Sequence, residues 1–155
     1  SYTKTFSEGS DSLLFMGATG LGKTFLSGCI ARAVADKGYS VCYVSAGKLF
    51  SDFETEKFRL KEDGALTGEY METDLLIIDD LGTEMTTQFT VSALYQVVNG
   101  RLLSGRPTIV STNLPDSELE ARYSAQIASR LLGAYTLYQF CGTDVRLLKK
   151  MESRM

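Results

Sequence analysis

Two short segments of this chain carry residues whose types and spacing could do chemistry. The first, GATGLGKT at residues 17–24, matches the pattern G-x-x-x-x-G-K-[ST] at every fixed position. Its glycines let backbone N–H groups turn inward and form an anion nest at the start of a helix. A chance glycine-rich turn is the competing interpretation, but the segment follows a predicted strand and opens a predicted helix, as a phosphate-binding loop requires.

This segment therefore predicts a nucleotide phosphate site. Lys23 is expected to reach the β- and γ-phosphates of ATP, and the hydroxyl of Thr24 is expected to ligate Mg²⁺. The residues predicted to contact the nucleotide are those of the loop and the start of the helix: Gly17, Ala18, Thr19, Gly20, Leu21, Gly22, Lys23, Thr24 and Phe25.

The second segment, DLLIIDDLGTE at residues 74–84, runs from an apolar strand straight into two adjacent carboxylates, Asp79 and Asp80. Burying a carboxylate is costly unless it is paired or bound to a cation. In P-loop enzymes an acidic residue closing another strand holds Mg²⁺, and Asp79 fits that role. Side chains alternate along a strand, so Asp80 is expected to point elsewhere and to orient or deprotonate the attacking water. The alternative for Asp80 is a turn or helix-cap residue.

Strand-like and helix-like segments alternate around these two motifs. Strands that are apolar throughout indicate a parallel sheet covered on both faces, and ligands of such sheets bind at the carboxyl ends of the strands. We predict an α/β fold with a five-stranded parallel sheet sandwiched by helices, in one domain over residues 11–155 preceded by a polar lead-in at 1–10. A capping box is predicted at SELE, 117–120. The predicted strands are 12–17, 39–46, 74–79, 106–113 and 134–140, and the predicted helices 23–38, 47–60, 88–105, 124–133 and 143–155.

Composition narrows the possible functions. With 155 residues, 44% hydrophobic and 23% charged, the chain is typical of one soluble domain. It contains no histidine, which excludes histidine-based acid–base catalysis and histidine-ligated metal. Its three cysteines are widely spaced, as in a reduced cytosolic protein. No apolar run reaches the roughly 18 residues of a membrane span, so we expect a cytoplasmic protein without membrane contact. Because the chain begins Ser1-Tyr2, we expect it to be part of a longer protein.

Four segments together, GATGLGKT, LLIIDDLGTE, RPTIVSTNLP and ASRLLGAY…GTDVR, resemble the AAA+ ATPase domain of the bacterial helicase-loader group. This is the DnaC/DnaI type, which is closely related to the IstB transposition-helper ATPases, and the resemblance runs from about residue 11 to 148. It implies a P-loop NTPase fold, an AAA+ core without a large helical lid, and an ATPase that uses ATP and Mg²⁺.

The resemblance also implies roles for three further residues. Asn113 is similar to sensor 1, an amide that hydrogen-bonds the γ-phosphate or the attacking water; the alternative is an ordinary turn asparagine. Arg130 is similar to the arginine finger, presented to the ATP of a neighbouring subunit; the alternative is a solvated surface arginine. Arg146 is similar to sensor 2. Where AAA+ proteins commonly carry glutamate, this chain has the shorter Asp80, and Glu84 is a candidate to supply the longer reach.

The same resemblance implies partners and a function. A replicative hexameric DNA helicase would bind through an N-terminal module expected outside this chain, single-stranded DNA would bind weakly, and the domain would self-associate in an ATP-dependent oligomer. The aromatic and basic segment 48–61 is a candidate DNA surface, but its acidic residues and helical spacing favour a core role. We therefore expect a slow ATPase that switches a replication assembly on DNA. The alternatives are an IstB-type transposition helper, a small P-loop kinase, and a nucleotide-binding module with negligible turnover.

Overall fold

Strands and helices alternate along the chain as the apolar pattern predicts. The structure, a computed structural model, describes residues 2–7, 9–18, 20, 22–58 and 67–140. The predicted last helix at 143–155 lies outside these residues. The strands are β1 (Leu13–Gly17), β2 (Val41–Ser45), β3 (Leu75–Leu81), β4 (Thr108–Thr112) and β5 (Thr136–Phe140). The helices are α1 (Lys23–Asp36), α2 (Ala46–Phe58), α3 (Gly68–Glu72), α4 (Gln88–Leu103), α5 (Asp116–Tyr123) and α6 (Ala125–Ala134).

The five strands form one parallel sheet in the order β2-β3-β4-β1-β5, which confirms the predicted α/β fold. All strands point the same way, so their carboxyl ends meet at one edge of the sheet. Because β4 lies between β1 and β3, a residue that follows β4 lies between the loop after β1 and the acids at the end of β3. The strand order therefore brings three sequence-distant segments to one place.

Helices cover both faces of the sheet. Side chains on both sides of each central strand are therefore buried, which explains why the strands have no polar alternation. On one face, Leu76 and Ile78 of β3 pack in a cluster with residues of α2, α4, α5 and α6. On the other, Leu75 and Ile77 pack with Ile30 and other residues of α1. We call these the α4 face and the α1 face. Alternate residues of the central strands are thus buried on opposite sides of the sheet.

The N-terminal segment does more than the polar lead-in that its composition predicts. Phe6 is 3% exposed and joins the α1-face core, where its ring makes edge contacts with Tyr2 and Tyr39. The ammonium of Lys37, at the end of α1, donates to the backbone carbonyl groups of Thr3 and Lys4 at 2.7 Å. One aromatic side chain and one lysine therefore hold this segment against the sheet.

The predicted capping box at 117–120 is wrong. Helix α5 begins one residue earlier, at Asp116, and its N-cap is Pro115, which has no side chain able to accept a hydrogen bond. A capping box does form at α4, where Thr87 and Thr90 each accept from the other's backbone N–H. The short helix α3 was not predicted. Among the described residues, no helix is long and apolar enough to cross a membrane.

Candidate functional site

The loop between β1 and α1 needs glycine where the chain is crowded or left-handed. At Gly17 a side chain would overlap the backbone carbonyl oxygen of Phe140 on the neighbouring strand β5. Gly22 is the N-cap of α1 and has a φ of +92°, in the left-handed region that glycine adopts without strain. These glycines let the loop turn directly from the strand into the helix, so that the N-terminus of α1 faces the carboxyl edge of the sheet.

Lys23, the first residue of α1, is folded against its own loop. Its side chain is buried, with the residue 7% exposed. The ammonium donates to the carbonyl oxygens of Gly17 at 2.5 Å and Ala18 at 2.8 Å. Burial lowers the pKa of Lys23, and the carboxylates of Asp80 and Asp79 oppose that shift by favouring the charged form. The lysine is therefore a cation held next to two acids and the start of a helix.

Three hydroxyl groups converge on the carboxylate of Asp79. Thr24, on α1, donates to Oδ2 at 3.1 Å. Tyr43, on β2, donates to the same oxygen at 2.9 Å, and Ser111, on β4, donates to Oδ1 at 2.5 Å. Asp79 is half-buried, and its carboxylate accepts hydrogen bonds from three different elements. These hydrogen bonds offset the free-energy cost of burying a carboxylate.

A bulge in β3 separates the two neighbouring acids. Ile78 pairs with Val110, but Leu81 pairs with Thr112, so β3 has one residue more than β4 over this interval. Asp80 takes up the extra residue with a φ of +62°, and its backbone N–H donates to the Ser111 hydroxyl at 3.0 Å.

The extra residue changes which face the following side chain occupies. Without a bulge, Leu81 and Asp79 would lie on the same face, because side chains alternate with a period of two. Instead Leu81 packs on the α4 face with Leu76 and Ile78, whereas Asp79 reaches Thr24 of α1. Because of the bulge, Asp79 faces Thr24 at the start of α1, while Leu81 is buried on the α4 face.

A cavity of about 330 Å³ opens at this edge of the sheet. Seven of the residues predicted from the two motifs and the resemblance line it: Gly20, Gly22, Lys23, Thr24, Asp79, Asp80 and Asn113. The remaining lining residue is Ser111. Asn113 follows β4 directly, so its place between the P-loop and the acids results from the strand order. The geometry therefore combines a cation, two carboxylates, hydroxyl groups and an amide around one polar space.

Glu84, the candidate for a longer-reaching acid, does not line this cavity. Its carboxylate accepts from the backbone N–H of Gly82 at 3.1 Å and from the hydroxyl of Tyr123 at 2.5 Å. Arg122 lies 3.6 Å from it, and the Glu84 side chain is only 7% exposed. The carboxylate is therefore used to fasten the loop after β3 to α5.

Other predicted residues lie outside the cavity lining. Arg130 is exposed on α6, and its Nε donates to the side chain of Asn99 at 3.2 Å. Phe25 is 61% exposed in the first turn of α1. Thr19, Leu21 and Arg146 lie outside the described residues.

Sequence reasoning missed Ser111 and Tyr43, although both bind Asp79. For Ser111 the sequence offered a signal, because the residue lies two positions before Asn113 in a strand and is therefore expected on the same side of the sheet. Tyr43 had none: an aromatic residue in β2 is ordinary strand composition.

The donor set of the cavity fits a magnesium–nucleotide complex. Thr24 and Asp79 offer hydroxyl and carboxylate oxygens, the hard ligands that Mg²⁺ prefers. Within the described ranges, no group of three or more histidine, cysteine, aspartate or glutamate residues could hold a metal on its own. Mg²⁺ is usually bound through one or two protein oxygens together with substrate phosphates and water, so these two residues suffice if phosphates complete the shell.

Comparison with known proteins agrees with this geometry. The family described as IstB-like ATP binding protein matches residues 2–147. The chain belongs to this family. The predicted resemblance to helicase loaders and IstB proteins is thereby confirmed, and the domain is an ATP-binding one.

Individual relatives include both branches of the resemblance. Over 132 residues, the IstB-like chain is 26% identical to the replicative helicase loader DnaC of Escherichia coli K12, covering 84% of this chain and 54% of DnaC. It is also 26% identical over 106 residues to an insertion-sequence protein of Mycobacterium tuberculosis whose name describes it as ATP-binding, covering 68% of this chain and 42% of that protein. The chain thus spans about half the length of these relatives.

A solved structure supports the fold. The crystal structure of the DnaC helicase loader superimposes with a TM-score of 0.81 at 19% identity, covering 90% of this chain and 84% of the other. At this identity the likeness concerns the fold alone, a parallel sheet covered by helices on both faces.

Proposed function

We propose that this IstB-like domain binds ATP with Mg²⁺ in the cavity at the carboxyl edge of the sheet and hydrolyses it to ADP and phosphate. The observation that carries the proposal is the convergence of Lys23, the Thr24–Asp79 pair, Asp80 and Asn113 on one polar cavity. A site for a neutral metabolite would not need a buried cation at a helix N-terminus opposite two acids. A polyphosphate with a divalent cation satisfies all of these charges together.

The P-loop side of the cavity would bind the nucleotide. Lys23 can transfer its hydrogen bonds from the loop carbonyls to the β- and γ-phosphates, which are stronger acceptors because they are charged. Thr24 and Asp79 would hold Mg²⁺, which when bound offsets the phosphate charge. The hydrogen of the Thr24 hydroxyl already points to Asp79, so its lone pairs remain for a cation.

The opposite side of the cavity would act on water. In hydrolysis a water oxygen forms a bond to the γ-phosphorus while the bond from that phosphorus to the bridging oxygen of ADP breaks. Asp80 would orient this water and accept its proton; in support, the residue is exposed and lines the cavity. Asn113 would hydrogen-bond the γ-phosphate or the water. These roles follow P-loop chemistry, in which positioning and electrostatics carry most of the catalysis.

Substitution of Asp80 tests the proposed hydrolysis. Asp80→Asn retains the shape of the side chain but cannot accept the proton, so ATP should still bind while phosphate release falls at least about a hundredfold. Nucleotide affinity and steady-state phosphate release should be measured on the same preparation, with exposed Asp116→Asn as the matched control. Unchanged ATPase activity in Asp80→Asn would refute the assignment.

We further propose that the domain self-associates and that Arg130 completes the site of a neighbouring protomer. Arg130 is exposed and does not line the cavity of its own chain, which supports action between subunits. A mixing experiment separates the possibilities. Arg130→Ala and Lys23→Ala should each be inactive alone, and mixing them should restore part of the activity if the arginine acts in trans; absence of restoration would count against it.

For the whole protein we propose a helicase-loader role, with a hexameric replicative helicase as partner and weak contact with single-stranded DNA. The support is the similarity to DnaC, whose name describes a replicative helicase loader. The insertion-sequence relative supports a second candidate, a transposition helper. ATPase activity should be measured alone, with single-stranded DNA, with a cognate helicase, and with a transposase. A response to the helicase favours the loader, and a response only to the transposase favours the helper.

A further inference from the structure

Tyr43 contacts the proposed magnesium ligand Asp79 from outside the two motifs of the site. It lies on β2, the edge strand of the sheet, and its hydroxyl donates to Asp79 Oδ2 at 2.9 Å. It does not line the phosphate cavity. The residue is 40% exposed, so burial of its ring gives only part of the reason for a tyrosine at this position.

The two strands that flank β3 hold the two oxygens of the same carboxylate. Ser111, on β4, donates to Oδ1 at 2.5 Å, and Tyr43, on β2, donates to Oδ2 from the other side. Thr24 lies between them at 3.1 and 3.3 Å from the two oxygens. A carboxylate held at both oxygens from opposite sides cannot rotate about its terminal bond without losing a hydrogen bond.

We propose that Tyr43 is a positioning residue that fixes the Asp79 carboxylate for magnesium, so that its hydroxyl controls the metal dependence of nucleotide binding rather than nucleotide binding itself. The inference rests on the proposed function, since it concerns the same site. A phenol is protonated at neutral pH, so the Tyr43 hydroxyl is a hydrogen-bond donor there.

Loss of the Tyr43 hydroxyl should affect the binding of Mg²⁺ and not the binding of the phosphates. Lys23 and the loop backbone would bind phosphates whether or not the Tyr43 hydroxyl is present, because that hydroxyl donates to Asp79 and Tyr43 does not line the phosphate cavity. Loss of the hydroxyl frees Oδ2, and Asp79 must then be ordered by the metal when it binds. One hydrogen bond of ordinary net strength, as expected for this partly exposed pair, shifts an equilibrium by about three- to tenfold.

Tyr43→Phe tests this, because phenylalanine keeps the ring and removes only the hydroxyl. ATP affinity should be measured in EDTA and across a Mg²⁺ titration. Affinity in EDTA should stay within about twofold of the unsubstituted chain, the Mg²⁺ concentration for half-maximal effect should rise about three- to tenfold, and Tm should change little. Tyr138→Phe, on the opposite edge strand β5, is the matched control and should behave like the unsubstituted chain.

Three other outcomes would contradict the proposed function or the positioning role of Tyr43. If the unsubstituted chain shows no Mg²⁺-dependent ATP binding, the proposed function fails and the inference fails with it. If the unsubstituted chain is active and Tyr43→Phe has the same Mg²⁺ dependence, only the inference fails. If Tyr43→Phe weakens ATP binding equally with Mg²⁺ and in EDTA, or lowers Tm by several degrees, the tyrosine has a packing role and the positioning role is wrong.

Discussion

The hydroxyl of Ser111 donates to Asp79 Oδ1 at 2.5 Å, which joins the fourth strand of the chain to an acid near the end of the third. The same hydroxyl accepts from the backbone N–H of Asp80 at 3.0 Å. A single buried serine therefore fixes the side chain of one acid and the backbone of the next, and it does so at the bulge that separates them. The relative placement of the two carboxylates depends on β4 as much as on β3.

Replacement of Ser111 should impair both acids at once. In Ser111→Ala the Asp80 N–H is left without its partner, and Asp79 loses its shortest hydrogen bond, so we expect ATP turnover to fall about ten- to hundredfold and stability to drop by about 1–3 kcal/mol. Steady-state phosphate release and urea unfolding measure the two effects. Ser51→Ala, on the exposed side of α2, is the matched control. Turnover equal to that of Ser51→Ala would show that the serine does not position the acids.

Lys23→Ala should abolish measurable ATP binding without unfolding the domain. The lysine supplies the buried cation of the P-loop, and charge-assisted contacts to phosphate are among the strongest hydrogen bonds available to a protein. We expect affinity to fall at least about a hundredfold, measured by calorimetry with ATP and Mg²⁺. Lys4→Ala, at an exposed position, removes one positive charge as a control. Equal affinity in the two variants would exclude Lys23 from the phosphate site.

Glu84 should behave as an anchor and not as an acid. Glu84→Gln preserves an oxygen that can accept from Gly82 or Tyr123 while it removes the carboxylate, so turnover should fall no more than about threefold. Glu84→Ala removes the anchor and should lower stability by about 1–3 kcal/mol, because buried donors lose their acceptor. Phosphate release and thermal unfolding distinguish the two effects. A loss of turnover in Glu84→Gln as large as that in Asp80→Asn would restore Glu84 as a catalytic candidate.

Arg101 should be critical for stability although it does not line the cavity. It is 0% exposed, and among the described residues no carboxylate lies within ion-pair distance of it. Burial lowers its pKa to about 10, so it is charged at pH 7 and is satisfied by hydrogen bonds alone. It donates at 2.8–3.2 Å to the carbonyl groups of Tyr70, Met71 and Pro107 and to the hydroxyl of Thr108.

Arg101→Met keeps most of the side-chain length but provides no donors. We expect the free energy of unfolding to fall by about 3 kcal/mol or more, since several buried acceptors lose a partner together. Arg32→Met, at an exposed position of α1, is the control, and it should change the free energy of unfolding by less than about 0.5 kcal/mol. Urea unfolding at pH 7 makes the comparison, and similar midpoints for the two variants would contradict the structural role.

Tyr135 should make the fold less stable in alkali. It is 5% exposed, and burial raises its pKa from 10.0 to about 12. Between these values the unfolded chain loses the phenolic proton while the folded chain keeps it, so the free energy of unfolding falls as the pH rises from 10 to 12. Below pH 10 the phenol is neutral in both states and contributes no pH dependence.

Tyr135→Phe isolates this contribution from that of the other buried tyrosines. Between pH 9 and 12 the variant should lose about 2 kcal/mol less stability than the unsubstituted chain. Urea unfolding at the two pH values measures the difference. Identical losses in the two proteins would show that Tyr135 ionises as easily in the folded state as in the unfolded one.

The sequence by itself determined the chemical parts of this protein. Fixed spacing identified Lys23 and Thr24, since a loop that turns inward at a helix start needs particular residues at particular places. Apolar strands alternating with helices predicted the parallel sheet, because burial on both faces leaves a one-dimensional pattern. The resemblance placed Asn113 beside these motifs.

Tertiary structure decided what the remaining residues touch. Glu84 accepts a hydrogen bond from Tyr123 and does not line the cavity. Both strands next to β3 donate to Asp79, through Tyr43 and Ser111. Phe6 lies in the core although its segment is polar. The physical reason is that strand order and register determine which residues far apart in sequence can hydrogen-bond. In addition, the single bulge at Asp80 changes the face of the sheet on which the next side chain lies. Neither strand order nor a bulge leaves a local pattern in the amino-acid sequence.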